Sequence, residues 1–429
     1  MERPGVSLPH MMGSEAALEA AYRFLGNEQV DPRAILAPHI AATAERIVAI
    51  GVAYCVSDTT ELRFGGGTRQ GMGPLQGAGR GFLAHLALAV AADGSRTPMG
   101  TLNLEAIVRP EAPKRRRGTK KSRRQADSES LKWSRGVIAA EDALDRRADL
   151  IHLMDREADI YELLALFSAR NSRYVVRVAQ NRVAEDEDGV GMLFDLLAAG
   201  REIVTRDVPL SRRDRATKRH PRRSERRAKL SFAAQTLTLR RPTSAAKKLP
   251  PTLTLNFVHV FEKNPPAGEV PIDWKLVTSE PCASRKQVEA VVDAYRTRWV
   301  IEELFKALKT GCGIERSQLE SIDSLLNLLA IMLPVAVQLL ALRSLAMAQK
   351  TALALGVLSA LQVRVLRAMS TRVRLPRHPT AEQALLAIAA LGGHLRNNGP
   401  PGWIVLGRGF QDLLRYAEAW HIMERSQKM

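Results

Sequence analysis

Three apolar segments of strand length, followed by alternating helix and strand patterns, constrain the fold of this chain more than any other feature. The three segments cover residues 52–57, 82–92 and 99–108. Helix and strand patterns then alternate, over residues 131–144 (helix), 150–154 (strand), 157–169 (helix), 174–178 (strand) and 192–199 (helix). Three strands followed by this alternation predict an α/β fold in which a mixed sheet is flanked by helices.

The rest of the chain changes pattern twice. Residues 201–280 hold four further β-rich segments, which predict an inserted antiparallel β subdomain. A long helix is expected over residues 285–310, and the Ala- and Leu-rich spacing beyond Gly313 predicts an all-α C-terminal domain. The predicted units are an N-terminal helical region (1–50), an α/β core in two pieces (51–200 and 284–315), the β subdomain (201–283) and the C-terminal helical domain (316–429).

The positive charge of the chain is concentrated in two runs. The formal net charge is +18, from 63 Lys and Arg against 45 Asp and Glu. Residues 114–124 carry eight bases and no acid, and residues 212–229 carry ten bases and two acids, so the runs hold +16 of the total. Clustered bases gain affinity by releasing counterions from phosphates, which favours a nucleic-acid partner. The alternative is a pair of solvated loops.

Cysteine usage and hydropathy favour a soluble protein of the cytoplasm. Three cysteines without a CxxC pair argue against a disulfide framework or a Cys-based zinc site, and the N-terminus lacks the apolar stretch of a signal peptide. Residues 325–342 are long and apolar enough to suggest a membrane span, but they include Asn327, Pro334 and Gln338. We therefore expect a buried helix there and no membrane partner.

The long helix carries a polar stripe around one acid. At about 100° per residue, Tyr295, Arg298, Glu302, Lys306 and Lys309 fall within an arc of about 80°. Apolar residues occupy the opposite side, namely Val300, Ile301, Leu304 and Leu308. A carboxylate for a metal, flanked by cations for phosphates, accounts for every member of the stripe. The alternative is a solvated helix face with pairs such as Glu302–Lys306.

Two further acids follow apolar strand candidates. Asp58 comes after residues 52–57, and Asp155 comes after residues 150–154. Either residue alone is better explained as an N-cap or a turn residue. Together with Glu302, however, they give three carboxylates on three elements of one α/β layer. Such oxygen ligands suit hard divalent cations such as Mg²⁺, and two such ions can catalyse phosphoryl transfer.

Several motifs resemble those of a known family. The spacing Tyr295-x2-Arg298-x3-Glu302-x6-Lys309 resembles the Tyr-Arg-Glu-Lys signature of bacterial insertion-sequence transposases of the DDE type. The segments YRTRWVIEELFKALKTGCGIER, SDTT, DREADI and AYRFLGN resemble more closely the transposon-five type of transposase. The resemblance covers nearly the whole chain, and the order Asp, Asp, inserted β region, Glu is the order of the family.

The resemblance implies a fold, an activity, a cofactor and partners. It implies a ribonuclease-H-like core in which Asp58, Asp155 and Glu302 bind two Mg²⁺ or Mn²⁺ ions. Proteins of this type cut a mobile element from double-stranded DNA and join its 3′ ends to a target, as homodimers in a synaptic complex. On this analogy the C-terminal helices mediate dimerisation, and the protein acts at the nucleoid in the bacterial cytoplasm.

The resemblance also implies which side chains hold DNA. Arg177, Tyr295 and Arg298 match positions that hold phosphates near the metal ions, and Lys306 and Lys309 match further cationic positions. Trp274 matches an aromatic residue that receives a base flipped from the cut end, a role that an aromatic face suits. The alternative for Trp274 is a core residue of the β subdomain.

Two features depart from the family pattern. The chain begins later than expected, so that residues 1–50 read as the remnant of a longer DNA-binding region, and shortened forms in this family can act as inhibitors of an active transposase. The charge of the run 114–124 is also unexpected; it either grips DNA or forms a solvated loop. The alternative function is therefore a DNA-binding or dimerising inhibitor.

Overall fold

The computed structural model describes residues 12, 14–67, 69–111, 129–210 and 222–427. The basic run 114–124 and residues 212–221 of the second run lie outside the described residues. In the first half of the chain the elements are α1 (Glu15–Leu25), α2 (Pro32–Ile50), β1 (Val52–Phe64), β2 (Gly73–Pro74), β3 (Arg80–Ala91), β4 (Pro98–Ile107), α3 (Leu131–Leu144), β5 (Asp149–Met154), α4 (Tyr161–Arg170), β6 (Arg173–Arg177), β7 (Val183–Glu185), β8 (Val190–Met192) and α5 (Leu193–Ala199).

The second half begins with strands and ends with helices. Its elements are β9 (Glu202–Leu210), β10 (Arg226–Arg240), β11 (Thr252–Glu262), β12 (Asp273–Thr278), α6 (Arg285–Thr297), α7 (Val300–Lys306), a π-helical turn (Ala307–Gly311), α8 (Ile322–Ala348), α9 (Ala360–Met369), α10 (Ala381–Leu391) and α11 (Trp403–Ser426).

One mixed sheet forms the centre of the molecule. Strand β3 lies antiparallel between β4 and β1, whereas β1, β5 and β6 run parallel to one another. Parallel neighbours need crossover connections, which α3 and α4 supply, and both faces of the middle strands are then buried. The prediction of an α/β fold with a mixed sheet flanked by helices is confirmed.

The β-rich segment joins this same sheet. Strands β9 to β12 pair antiparallel with one another in the order β9–β10–β11–β12, and β12 also pairs antiparallel with β6. Strands β9 to β12 therefore extend the central sheet. The division into an inserted subdomain and a separate C-terminal domain stays a prediction.

Two predicted helices have different bounds in the structure. The helix expected over 157–169 begins at Tyr161, because Asp155 caps a short 3₁₀ turn over Arg156–Ala158. The helix expected over 285–310 is interrupted at Arg298 and Trp299 and ends in the π-helical turn. Both departures fall beside the acids that the sequence pattern selects.

Helix α8 is the longest apolar element in the described part of the chain. It alone among the described helices is long and apolar enough to cross a membrane, and 67% of its most apolar window is buried inside the protein. Its polar residues have protein partners, because Asn327 donates to the carbonyl of Leu25 (2.9 Å) and Gln338 donates to that of Val357 (2.9 Å). These contacts are those of a core helix of a soluble protein.

The C-terminal helix α11 touches the π-helical turn through backbone. A Cβ atom built on Gly407 would lie 2.1 Å from the carbonyl oxygen of Gly311. We expect Gly407→Ala to lower the free energy of unfolding by about 2 kcal/mol, because the overpacked contact must push α11 away from the turn. Chemical denaturation measures this change. Gly65→Ala is the control, since nothing lies within 4 Å of its Cβ position, and an equal loss in both variants would contradict the close-contact explanation.

Candidate active site

Two of the predicted acids lie at matched positions on neighbouring parallel strands. The pairing of β1 with β5 sets Ser57 opposite Met154, and Asp58 and Asp155 are the next residues along each strand. The Asp58 carboxylate accepts a hydrogen bond from the amide of Thr59 (2.7 Å). Asp155 accepts from the amide of Glu157 (2.8 Å), so the N-cap interpretation is correct for it, but this bond uses only one carboxylate oxygen. Strand β1 continues to Phe64, but its parallel pairing with β5 stops at Ser57, so both acids lie just beyond the carboxyl end of the parallel ladder, where α/β proteins bind ligands.

Arg298 connects the third acid to the first. Its Nη1 donates to Oδ2 of Asp58 (2.8 Å), and its Nη2 donates to Oε1 of Glu302 (2.9 Å). The Arg298 side chain is only 9% exposed, compared with 18% for Asp58 and 35% for Glu302. The sequence predicts the bond between Arg298 and Glu302, because the two residues are four apart on a helix. The bond between Arg298 and Asp58 depends on the tertiary fold.

The local geometry between α6 and α7 directs the Arg298 side chain towards Asp58 on β1. The amide of Arg298 bonds the carbonyl of Tyr295 (3.0 Å), and the amide of Ile301 bonds the carbonyl of Arg298 (3.2 Å). These bonds span three residues instead of four, so the chain tightens between α6 and α7. Ile301 and Leu304 remain buried, as the apolar side of the stripe predicts.

The two lysines of the predicted stripe bond other partners. Lys306 lies 2.6 Å from Oε1 of Glu303, so the Glu302–Lys306 pair that the alternative interpretation offered is not formed. Lys309 donates to the backbone carbonyl of Glu61. For Lys309 the physical reason is the π-helical turn, in which the amide of Cys312 bonds the carbonyl of Ala307 (2.7 Å) and the regular 100° spacing ends.

The other predicted DNA contacts gather near Asp155. Tyr295 is buried, and its ring meets that of half-buried Trp274 edge-on, with centroids 6.2 Å apart. Arg177 ends β6, and both Arg177 and Asp155 act electrostatically on the Tyr295 phenol. Trp274 also packs against the main core, so the core interpretation holds for part of its surface.

Burial and mutual repulsion shift the titration of the acids. Burial raises the pKa of Asp58 to about 6, with Asp155 and Glu302 adding to the shift and Arg298 opposing it. Burial also raises the pKa of Glu302 against the effect of Arg298. Although burial alone disfavours the charged guanidinium, Tyr295, Asp58 and Glu302 raise the pKa of Arg298. Asp58 and Glu302 thus share one bridging guanidinium while Asp155 adds a third negative charge, and this excess of negative charge suits a hard cation.

The acids do not form a ready metal cage. Among residues 14–67, 69–111, 129–210 and 222–427, no group of three or more His, Cys, Asp or Glu side chains is arranged to hold a metal ion. Arg298 lies between Asp58 and Glu302 instead. The donor set fits Mg²⁺ or Mn²⁺ by its chemistry, and joint coordination requires these side chains to rearrange around Arg298.

Two regions of the chain match known families. Residues 134–336 match the transposase DDE domain, and residues 1–30 match a transposase DNA-binding domain. The chain is therefore a DDE transposase, that is, a metal-dependent nuclease and strand transferase that binds DNA. Domains of this kind use divalent metal ions. Asp155 and Glu302 lie inside the matched DDE region, whereas Asp58 precedes it.

The raised pKa of Asp58 predicts a pH-dependent gain in stability on its neutralisation. A folded-state pKa near 6, above the ordinary 3.8, means that a contribution present below pH 4 is lost as the pH rises through 6. In EDTA, we expect Asp58→Asn to be more stable than the wild type by about 2–3 kcal/mol at pH 7.5, and equally stable at pH 4. Denaturant titrations at both pH values measure this, and an equal gain at both would contradict the assigned cause.

Proposed function

We propose that this chain is a cut-and-paste transposase that hydrolyses phosphodiester bonds at transposon ends and transfers the freed 3′ ends to a target. One observation carries the proposal. Asp58 and Asp155 are register-matched just beyond the end of the parallel β1–β5 ladder, and Glu302 is tied to Asp58 through a shared guanidinium. This arrangement gathers acids from distant parts of the chain within one short region.

Asp58, Asp155 and Glu302 would hold two Mg²⁺ or Mn²⁺ ions. When bound, these ions would activate the attacking oxygen and stabilise the leaving one. Binding would also offset the cost of burying the Asp58 and Glu302 carboxylates, which raises the pKa of both. The chemistry of the donor set supports this assignment.

The surrounding side chains would position DNA. Arg298 and Arg177 carry guanidinium donors suited to phosphate oxygens, and both act on the phenol of Tyr295. The DNA backbone would compete with Asp58 and Glu302 for Arg298. The half-buried ring of Trp274 offers a face on which an unstacked base could stack. Lys306 and Lys309 would extend the cationic surface further along the chain.

Transposon ends and target would be bound by a homodimer. The outer side of α11 exposes Ile404, Tyr416, Ile422 and Met423, each at 42% or more, and such apolar surface is typical of protein contacts. The dimer would act at the nucleoid of the bacterial cytoplasm, because its substrate is DNA. The inhibitor alternative predicts dimerisation without 3′-end release, which the next experiment tests.

Neutralising the three acids one at a time tests the catalytic assignment. With a duplex carrying the terminal sequence of its own element and Mg²⁺, we expect Asp58→Ala, Asp155→Ala and Glu302→Ala to release no 3′ end, while DNA affinity is retained. Glu303→Ala is the matched control, because Glu303 adjoins Glu302 but bonds Lys306 and Trp403. Near-normal release by any of the three variants would remove that residue from the site, and no release by the wild type would favour the inhibitor.

The second basic run offers a test of DNA affinity. Arg226 must be left intact, because it forms a buried pair with Glu262. We expect replacement of the five bases at 212–219 by Gln to weaken DNA binding. The slope of log K against log[salt] should become shallower by about 0.9 for each phosphate that the protein no longer neutralises. The same number of replacements in 114–124 serves as the comparison. An unchanged slope would mean that the run is a solvated loop.

A further inference from the structure

A buried ion pair joins the loops that follow β5 and β6. The Asp159 side chain is fully buried (0% exposed) and the Arg182 side chain is 8% exposed. Arg182 donates from Nη1 to Oδ1 of Asp159 and from Nη2 to its backbone carbonyl (2.7 Å). We call these two residues the loop clamp. Neither residue belongs to the polar stripe or to the three acids.

The clamp also binds backbone. Oδ2 of Asp159 accepts hydrogen bonds from the amides of Ala179 (2.6 Å) and Gln180 (2.7 Å). One carboxylate thus satisfies two backbone donors and one guanidinium, all within the protein interior. Because charge-assisted hydrogen bonds are about twice as strong as neutral ones, this junction is rigid compared with an ordinary loop contact.

The position of the clamp connects it to the active site. Asp159 lies four residues after Asp155, and Ala179 lies two residues after Arg177. The sheet pairs Met154 with Val176, and the β5–β6 ladder ends there, so it does not itself fix the residues that follow. The clamp supplies a bond between the two loops just beyond that point.

We propose that Asp159 and Arg182 are positioning residues that fix Asp155 and Arg177 relative to each other. The inference rests on the proposed function, in which Asp155 binds metal and Arg177 binds DNA phosphate. A merely structural ion pair would stabilise the fold without affecting the site. A positioning pair must also change metal affinity and turnover, because a metal ligand held loosely binds less well.

The chain offers a matched control. Glu262 and Arg226 form another buried pair, with side chains 2% and 11% exposed, and Glu262 likewise accepts from a backbone amide, that of Ile272 (3.2 Å). This pair lies on β10 and β11, which do not carry Asp58, Asp155 or Glu302. Glu262→Gln therefore removes the same kind of charge as Asp159→Asn, at a different place in the sheet.

The experiment compares these variants in the full-length chain, below their melting temperatures and per folded molecule. We expect both to melt earlier than the wild type. Only Asp159→Asn should weaken Mn²⁺ binding, measured by electron paramagnetic resonance, and lower the maximal rate of 3′-end release, each by roughly 10–100-fold. Affinity for the terminal duplex should change little. Arg182→Lys, which keeps the charge, should retain more of both than Arg182→Gln.

The outcomes separate the two proposals. Equal Mn²⁺ affinity and equal turnover in Asp159→Asn and Glu262→Gln would overturn the positioning role. If the wild type binds Mn²⁺ but releases no 3′ end, the proposed function fails and the Mn²⁺ affinities alone decide on the clamp. A wild type that binds no Mn²⁺ overturns both.

Discussion

The balance of charge around Arg298 is the constraint on which the site depends. Asp58 and Glu302 are far apart in sequence, and both are partly buried. Each accepts a hydrogen bond from one terminal nitrogen of the Arg298 guanidinium. Removing charges from water is unfavourable unless they are paired, so the bridge is what lets β1 and α7 approach with their acids facing each other. The pairing is incomplete, because Asp155 adds a further negative charge. The raised pKa of Asp58 reflects burial first and then repulsion from Asp155 and Glu302, and the excess of carboxylates makes the region receptive to cations.

Much of the fold follows from periodicity, whereas the details of the site do not. The strand candidates before Asp58 and Asp155 are strands in the structure, although β1 continues past Asp58 to Phe64. The sequence predicts a continuous helix around Glu302. In the structure, the backbone hydrogen bonds span three residues at Arg298 and five residues at Ala307, instead of the four of a regular α-helix. A helical wheel assumes one rotation per residue, so it fails first for Lys306 and Lys309. Asp159 gives no signal in the sequence because its partners come from the loop after β6.

The union of the β-rich segment with the central sheet explains how distant residues meet. Since β12 pairs with β6, Trp274 is carried to the same end of the sheet as Arg177, and Tyr295 reaches both from α6. A segment folded as an independent unit would need a separate interface to achieve this. Here the hydrogen bonds between β12 and β6 set the distance between Trp274 and Arg177, and the two side chains need only lie on the same face of the sheet.

The backbone contact between Gly407 and Gly311 has a mechanical consequence. Helix α11 exposes apolar side chains outward, while its inner surface rests against the turn that directly follows the Glu302 helix. No side chain lies between the two backbones to absorb a displacement. If a second molecule pressed on the outside of α11, the helix could not move inward without also displacing the π-helical turn at the end of α7.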